Sequence, residues 1–143
     1  PLFIFSANPG SPLEPLNKVA SGGEQSRVKL ALKAALGKHI TLSCQIFDEI
    51  DTGISGATAE KVGNLMSELA NNQQIITITH LPQVASKGNT HWLISKSSTE
   101  TTTESSVNVL TDEARVEELA RMLSGAKITQ AAKNQAEALL KAR

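Results

Sequence analysis

Residues 42–49, LSCQIFDE, contain the pattern that decides the fold. An apolar run over 42–47 ends in two adjacent carboxylates, Asp48 and Glu49. This pattern predicts a buried parallel strand whose carboxyl end carries functional groups. A β-branched run at 75–79, IITIT, predicts a second strand, and apolar residues at helical spacing between the two runs predict a helix. Strand, helix and strand in this order predict a parallel βαβ unit with a right-handed crossover.

Further elements are predicted on both sides of this unit. Upstream, we expect an opening strand at 1–5, an irregular Pro-rich loop over 8–15 and a helix over about 22–36 that Ser21 caps. Downstream, we expect a short helix after Pro82, a hairpin of 91–96 and 107–110 joined by a polar and mobile segment at 97–106, and helices over about 112–123 and from about 129. The fold class is therefore α/β: a mainly parallel sheet with flanking helices, a C-terminal hairpin and two terminal helices.

Composition restricts the class of protein. The 143 residues are 40% apolar, which suits one domain with one core. The 14 basic and 14 acidic residues balance, so no polybasic surface for nucleic acid or membrane is indicated. The single cysteine, Cys44, lies in an apolar run, and we expect a buried thiol in a reducing cytoplasm. With no apolar stretch near the ~20 residues that span a bilayer and no leader pattern, we expect a soluble protein that is not exported. The strand-like start without an initiator Met suggests a piece of a longer chain.

The acidic pair has a chemical interpretation and a plainer one. A strand end would hold Asp48 rigidly, and Mg²⁺ prefers oxygen ligands while keeping part of its water shell. Glu49 would then orient and deprotonate the attacking water in phosphoryl transfer. Taken alone, however, an Asp-Glu pair at a strand end is more often a solvated turn.

A second motif is SGGE at residues 21–24, a serine and two glycines at a helix start. Backbone without side chains lets an anion approach the unpaired N–H groups at the positive end of the helix dipole. The motif predicts a phosphate site, although Ser-Gly-Gly before a helix is more often a capped flexible loop.

A third element is His80, directly after the strand predicted at 75–79. An imidazole there can reach a terminal phosphate from the next strand along. A lone histidine at a strand end is more often structural.

Together, these three elements resemble the signature motif, the Walker B motif and the switch histidine of ABC ATPases. Residues 20–24, ASGGE, and 48–51, DEID, look like the SMC-related branch, since the transporter branch has LSGGQ and a proline after the carboxylates. Four segments are similar to the RecN family: SANPG at 6–10, DEIDTGISG at 48–56, THLPQVA at 79–85 and RVEELARMLSG at 115–125. Ser55 stands where the superfamily commonly has an aspartate, so it is not given that residue's role.

The resemblance implies a partial head lobe in a protein that repairs DNA double-strand breaks by recombination. The family has two head lobes separated by a long antiparallel coiled coil, and residues 1–143 would form the C-terminal lobe. Two heads would sandwich two ATP molecules, with Mg²⁺ held at Asp48. Glu49 and His80 would act on that nucleotide, while Ser21, Gly22, Gly23 and Glu24 would serve the nucleotide held mainly by the partner. The implied partners are the N-terminal lobe, a second head and, through the whole protein, DNA at the cytoplasmic nucleoid; no membrane is implied.

No phosphate-binding loop of the form Gly-x-x-x-x-Gly-Lys-[Ser/Thr] occurs in the sequence. Residues 124–129, SGAKIT, fail that pattern and predict a connection between helices. The loop would belong to the N-terminal lobe, so the isolated chain is expected to be inactive. Two alternatives stay open: a non-catalytic module that docks on a partner lobe or DNA, and a transporter ATPase fragment, against which Glu24 and Asp51 argue.

Overall fold

The computed structural model describes residues 2–6, 8–37, 42–48, 51, 53–54, 56–99 and 102–142. The chain divides into two compact units, Pro1–Thr79 and His80–Arg143. The first contains β1 (Ile4–Phe5), β2 (Glu14–Pro15), α1 (Leu16–Val19), α2 (Gly22–Gly37), β3 (Cys44–Phe47), α3 (Gly56–Leu69) and β4 (Gln74–Thr77). The second contains α4 (Pro82–Ala85), β5 (Trp92–Ser98), β6 (Thr103–Val109), α5 (Asp112–Ser124) and α6 (Gln130–Lys141).

The βαβ unit predicted from the sequence is present. Strands β3 and β4 pair in parallel, in a register that sets Cys44 opposite Gln74 and Phe47 opposite Thr77. Helix α3 connects them and buries one face at helical spacing, formed by Ala59, Val62, Gly63, Met66 and Leu69. The α/β fold class is confirmed, and among the described residues the parallel pairing is confined to these two strands.

Strand β3 is buried on one face only in the described part of the chain. Phe47 is 1% exposed and Gln45 9%, whereas Ile46 is 58% exposed and Cys44 is also exposed. Successive strand residues point to opposite faces, so this alternation follows from packing against a single layer. The expectation of a buried Cys44 thiol was therefore wrong.

The Pro-rich segment expected to be an irregular loop contains a short strand. Ile4 and Phe5 pair antiparallel with residues 14–15, and the N–H of Leu16 donates to the carbonyl of Phe3 at 2.9 Å. Gly10, at a φ of 85°, lies between the strands where the chain reverses. The two-stranded ribbon leads directly into α1.

Helices α5 and α6 form the core of the second unit. Leu119, Ala120, Ala132 and Ala136 are buried together. The hydroxyls of Thr111 and Thr129 accept hydrogen bonds from the N–H groups of Ala114 and Ala132, which caps both helices. None of the helices in the described part of the chain has the length and apolar content that crossing a bilayer requires.

The hairpin is longer than the apolar pattern predicts. Strands β5 and β6 pair over seven residues each, from Trp92 opposite Val109 to Ser98 opposite Thr103. Hydroxyl groups bond across the strands, at 2.8 Å between Ser95 and Ser106. Most of the polar segment predicted to be a connection is therefore strand, because serine and threonine pair across the ladder.

Candidate functional site

The end of β3 is fixed by Phe47. Its ring is buried, with Nζ of Lys33 lying 5.1 Å from the ring centroid, and its carbonyl accepts the N–H of Ile78 at 2.9 Å. Asp48 follows directly and is exposed. The strand thus presents a carboxylate to solvent at its carboxyl end, as the sequence predicts. Glu49, the predicted general base, lies outside the described residues.

The start of α2 is a capping box formed by Ser21 and Glu24. The backbone N–H and the hydroxyl of Ser21 each donate to Oε2 of Glu24 at 2.7 Å. In return, the N–H of Glu24 donates to Oγ of Ser21 at 3.3 Å. This reciprocal pattern satisfies donors that a helix start otherwise leaves unpaired. Ser21 is therefore the helix cap predicted from the sequence.

These donors already hold an oxyanion. Hydrogen bonds from the hydroxyl and then from the N–H of Ser21 lower the pKa of Glu24 below its ordinary value of 4.5, so its carboxylate is charged at neutral pH. A Cβ built on Gly22 meets no described atom within 4 Å. Space is therefore open at Gly22, while the two donors of Ser21 are occupied by the Glu24 carboxylate.

The loop after the acidic pair is held at two points. Asp51 is 3% exposed, and the hydroxyl of Thr79 donates to its Oδ2 at 2.6 Å. Gly53 has a φ of 73°, and a Cβ added there would lie 3.3 Å from the Cα of Gly23. The loop therefore lies directly against the start of α2. Because of this close approach and the positive φ, only glycine fits easily at position 53. The first unit thus brings the predicted phosphate motif beside the loop that follows the predicted Walker B strand.

His80 is exposed and begins the second unit, directly after Thr79. Among the described residues, no group of three or more His, Cys, Asp or Glu side chains is arranged to hold a metal ion. Asp48, the residue predicted to bind Mg²⁺, lies within the described part of the chain. Proteins commonly bind this cation through one or two carboxylates together with substrate phosphates and water.

Residues 124–129 connect α5 and α6, as the sequence predicts, with Gly125 at a φ of 73° ending α5.

Two features of the site were missed by sequence reasoning. The role of Glu24 as the partner of the Ser21 cap could have been found, since Ser-x-x-Glu is the sequence pattern of a capping box. The bond between Asp51 and Thr79 has no comparable signal, because its partners lie 28 positions apart.

The sequence is similar to curated DNA repair proteins over nearly its whole length. It is 48% identical over 139 residues to the DNA repair protein RecN of Xylella fastidiosa (strain Temecula1), which covers 96% of this chain and 25% of that protein. It is 44% identical over 138 residues to the DNA repair protein RecN of Halalkalibacterium halodurans, covering 96% of this chain and 24% of that protein. The chain is RecN-like. No protein-family model matches it.

The RecN-like chain spans about a quarter of the length of the curated relatives it matches. Its fold is similar to that of solved SMC heads. One SMC ATPase structure superposes with a TM-score of 0.60 at 24% identity, over 82% of this chain and 70% of that one. An SMC head bound to the C-terminal winged-helix domain of ScpA superposes with a TM-score of 0.58 at 26% identity, over 72% of this chain and 30% of that one. The RecN-like chain therefore has the fold of the C-terminal segment of an SMC-related ATPase head.

Proposed function

We propose that residues 1–143 form the C-terminal lobe of a head that binds and hydrolyses ATP with Mg²⁺ in a RecN-like protein of recombinational double-strand-break repair. The observation that carries this proposal is the start of α2. There the N–H and hydroxyl of Ser21 both donate to one oxygen of the Glu24 carboxylate, beside the loop that follows the acidic strand end. The names of the curated relatives support the role in DNA repair.

The phosphate half of the proposed site is Ser21, Gly22 and Gly23, with Glu24 as the residue whose carboxylate occupies the donors of Ser21. A terminal phosphate would take the place of the Glu24 carboxylate, because both present an oxygen to the same two donors. Gly22 leaves open space of the kind that a nucleotide from a partner head would need. ATP binding at this half therefore requires that Glu24 turn away from Ser21.

The acidic half of the proposed site is the segment after β3, with His80. Asp48 would hold Mg²⁺ and Glu49 would take a proton from the attacking water. His80 would contact the terminal phosphate. When bound, Mg²⁺ would neutralise charge on the phosphates of the nucleotide.

Exposed apolar strand faces support docking of the N-terminal head lobe. In the first unit, Ile46 and Ile78 are 58% and 48% exposed. In the second, the hairpin register places Trp92 and Val109 opposite each other on one face, and both are more than half exposed. In each unit, exposed apolar side chains of this kind offer surface that a partner lobe would bury. A second head and, through the whole protein, DNA at the cytoplasmic nucleoid complete the proposed partners.

The test is Glu49→Gln in the full-length protein that contains this chain. The amide keeps the shape of the side chain but cannot act as the base, so we expect ATP binding to persist while phosphate release falls by at least about a hundredfold. Glu104→Gln, in the exposed hairpin, is the matched control and keeps normal turnover. Undiminished steady-state turnover in Glu49→Gln removes Glu49 from the proposed role.

A further inference from the structure

Asp51 is a buried carboxylate that none of the roles proposed above uses. It is 3% exposed, and it accepts a 2.6 Å hydrogen bond from the hydroxyl of Thr79. Burying a carboxylate is unfavourable unless donors compensate for the lost water, and a bond of this length is typical of a hydroxyl that donates to a carboxylate. The contact therefore fixes two chain segments to each other.

These two segments are the ones that carry the predicted hydrolytic residues. Asp51 comes two positions after Glu49, and Thr79 is joined by a peptide bond to His80. Nearby, the N–H of Ile78 donates to the carbonyl of Phe47 at 2.9 Å. This bond joins the same two segments two positions before Glu49 and two positions before His80. The end of β4 is thus bonded to the chain on both sides of the acidic pair.

We infer that Asp51 and Thr79 are positioning residues for ATP hydrolysis. Their hydrogen bond holds the end of β4, from which His80 follows, to the loop that follows Glu49. This inference rests on the proposed function, because it requires Glu49 and His80 to serve one nucleotide. Catalysis depends steeply on the placement of such groups, and a displacement of about 1 Å can lower the rate roughly a hundredfold.

The experiment compares Thr79→Val and Thr79→Ser in the full-length protein. Valine keeps the shape of the side chain but removes the donor, so we expect kcat for ATP hydrolysis to fall by about tenfold to a hundredfold with KM for ATP changed less than about twofold. Serine keeps the hydroxyl and restores most of the turnover.

Thr103→Val is the matched control, because it removes a hydroxyl that bonds with Ser98 in the exposed hairpin. Should Thr79→Val not fold, Asp51→Asn takes its place, since it keeps the shape and weakens the same bond. Normal kcat in the folded variant, beside an inactive Glu49→Gln, overturns this inference and leaves the proposed function standing. Full turnover in Glu49→Gln overturns the proposed function itself, and this inference with it.

Discussion

The two units of the chain use their buried polar groups differently. In the first, Asp51 accepts a hydrogen bond from Thr79 at the end of the parallel pair, and the nearby Asp48 at the end of β3 is exposed to solvent. In the second, Arg115 is 2% exposed and donates to the backbone carbonyls of Gly88 at 2.6 Å and Asn89 at 3.2 Å. The first contact joins two segments that carry predicted site residues, whereas the second pins a loop to a helix. Burial of a charged group therefore does not by itself mark a functional site, since Asp51 and Arg115 are both buried and bonded in different settings.

The largest expected effect is on ATP-dependent head association, and it should differ between two helix caps, Ser21 in the first unit and Thr111 in the second. Ser21→Arg in the full-length protein should abolish ATP-dependent head association, because the side chain would fill the space that a partner's phosphate needs. Thr111→Arg removes the corresponding cap of α5 and should leave association intact. Each change should cost about 1 kcal/mol of stability, measured by equilibrium unfolding.

Gel filtration with and without ATP reads out the association. If Ser21→Arg associates as the wild type does, Ser21 is only a cap and the contrast between the two helix starts is lost.

A smaller effect tests the core of the second unit. Leu119 is fully buried between α5 and α6, so Leu119→Ala should lower the free energy of unfolding by about 2–5 kcal/mol. Leu13, which is 65% exposed in the first unit, is the control, and its replacement by alanine should change stability by less than about 0.5 kcal/mol. Urea unfolding of the chain measures both; equal losses would contradict the packing described for α5 and α6.

The smallest expected effect concerns the pH dependence of the Ser21 cap. The pKa of Glu24 is lowered from 4.5 by the hydroxyl and N–H of Ser21, so the stability that this bond contributes is fully present above the unfolded value and is lost as pH falls through the folded one. Solvent screening keeps the effect small. Ser21→Ala should move the pKa of Glu24 upward, as an NMR titration of its carboxyl group can show. A pKa that does not move between the two proteins would contradict the capping box.

Local patterns explain why much of the fold could be predicted. The spacing of Ala59, Val62 and Met66 between two strand-like runs predicts the βαβ unit. Apolar residues at helical spacing likewise predict the two terminal helices. Such signals act within a few residues, so a single sequence carries them.

The rest depends on contacts between distant segments. The pairing of β1 with β2, the exposed face of Cys44 and the bond between Asp51 and Thr79 follow from how elements meet in space. Of the predicted site, the structure places Asp48 at an exposed strand end and Ser21 at the capped start of α2. The roles of Glu49 and His80 stay predictions.

The central claim is that this chain supplies only part of a composite nucleotide site. The missing phosphate loop normally gives backbone N–H donors and a lysine, with contacts of roughly 1.5–3 kcal/mol each. Losing several of them should weaken ATP binding by about three orders of magnitude, at ~1.4 kcal/mol per tenfold.

Calorimetric titration of the purified chain with Mg-ATP, beside a phosphate-release assay, tests this claim most directly. The account predicts very weak binding and no turnover for the chain alone, with both restored when the N-terminal lobe is added. Micromolar binding with turnover by the chain alone would contradict it.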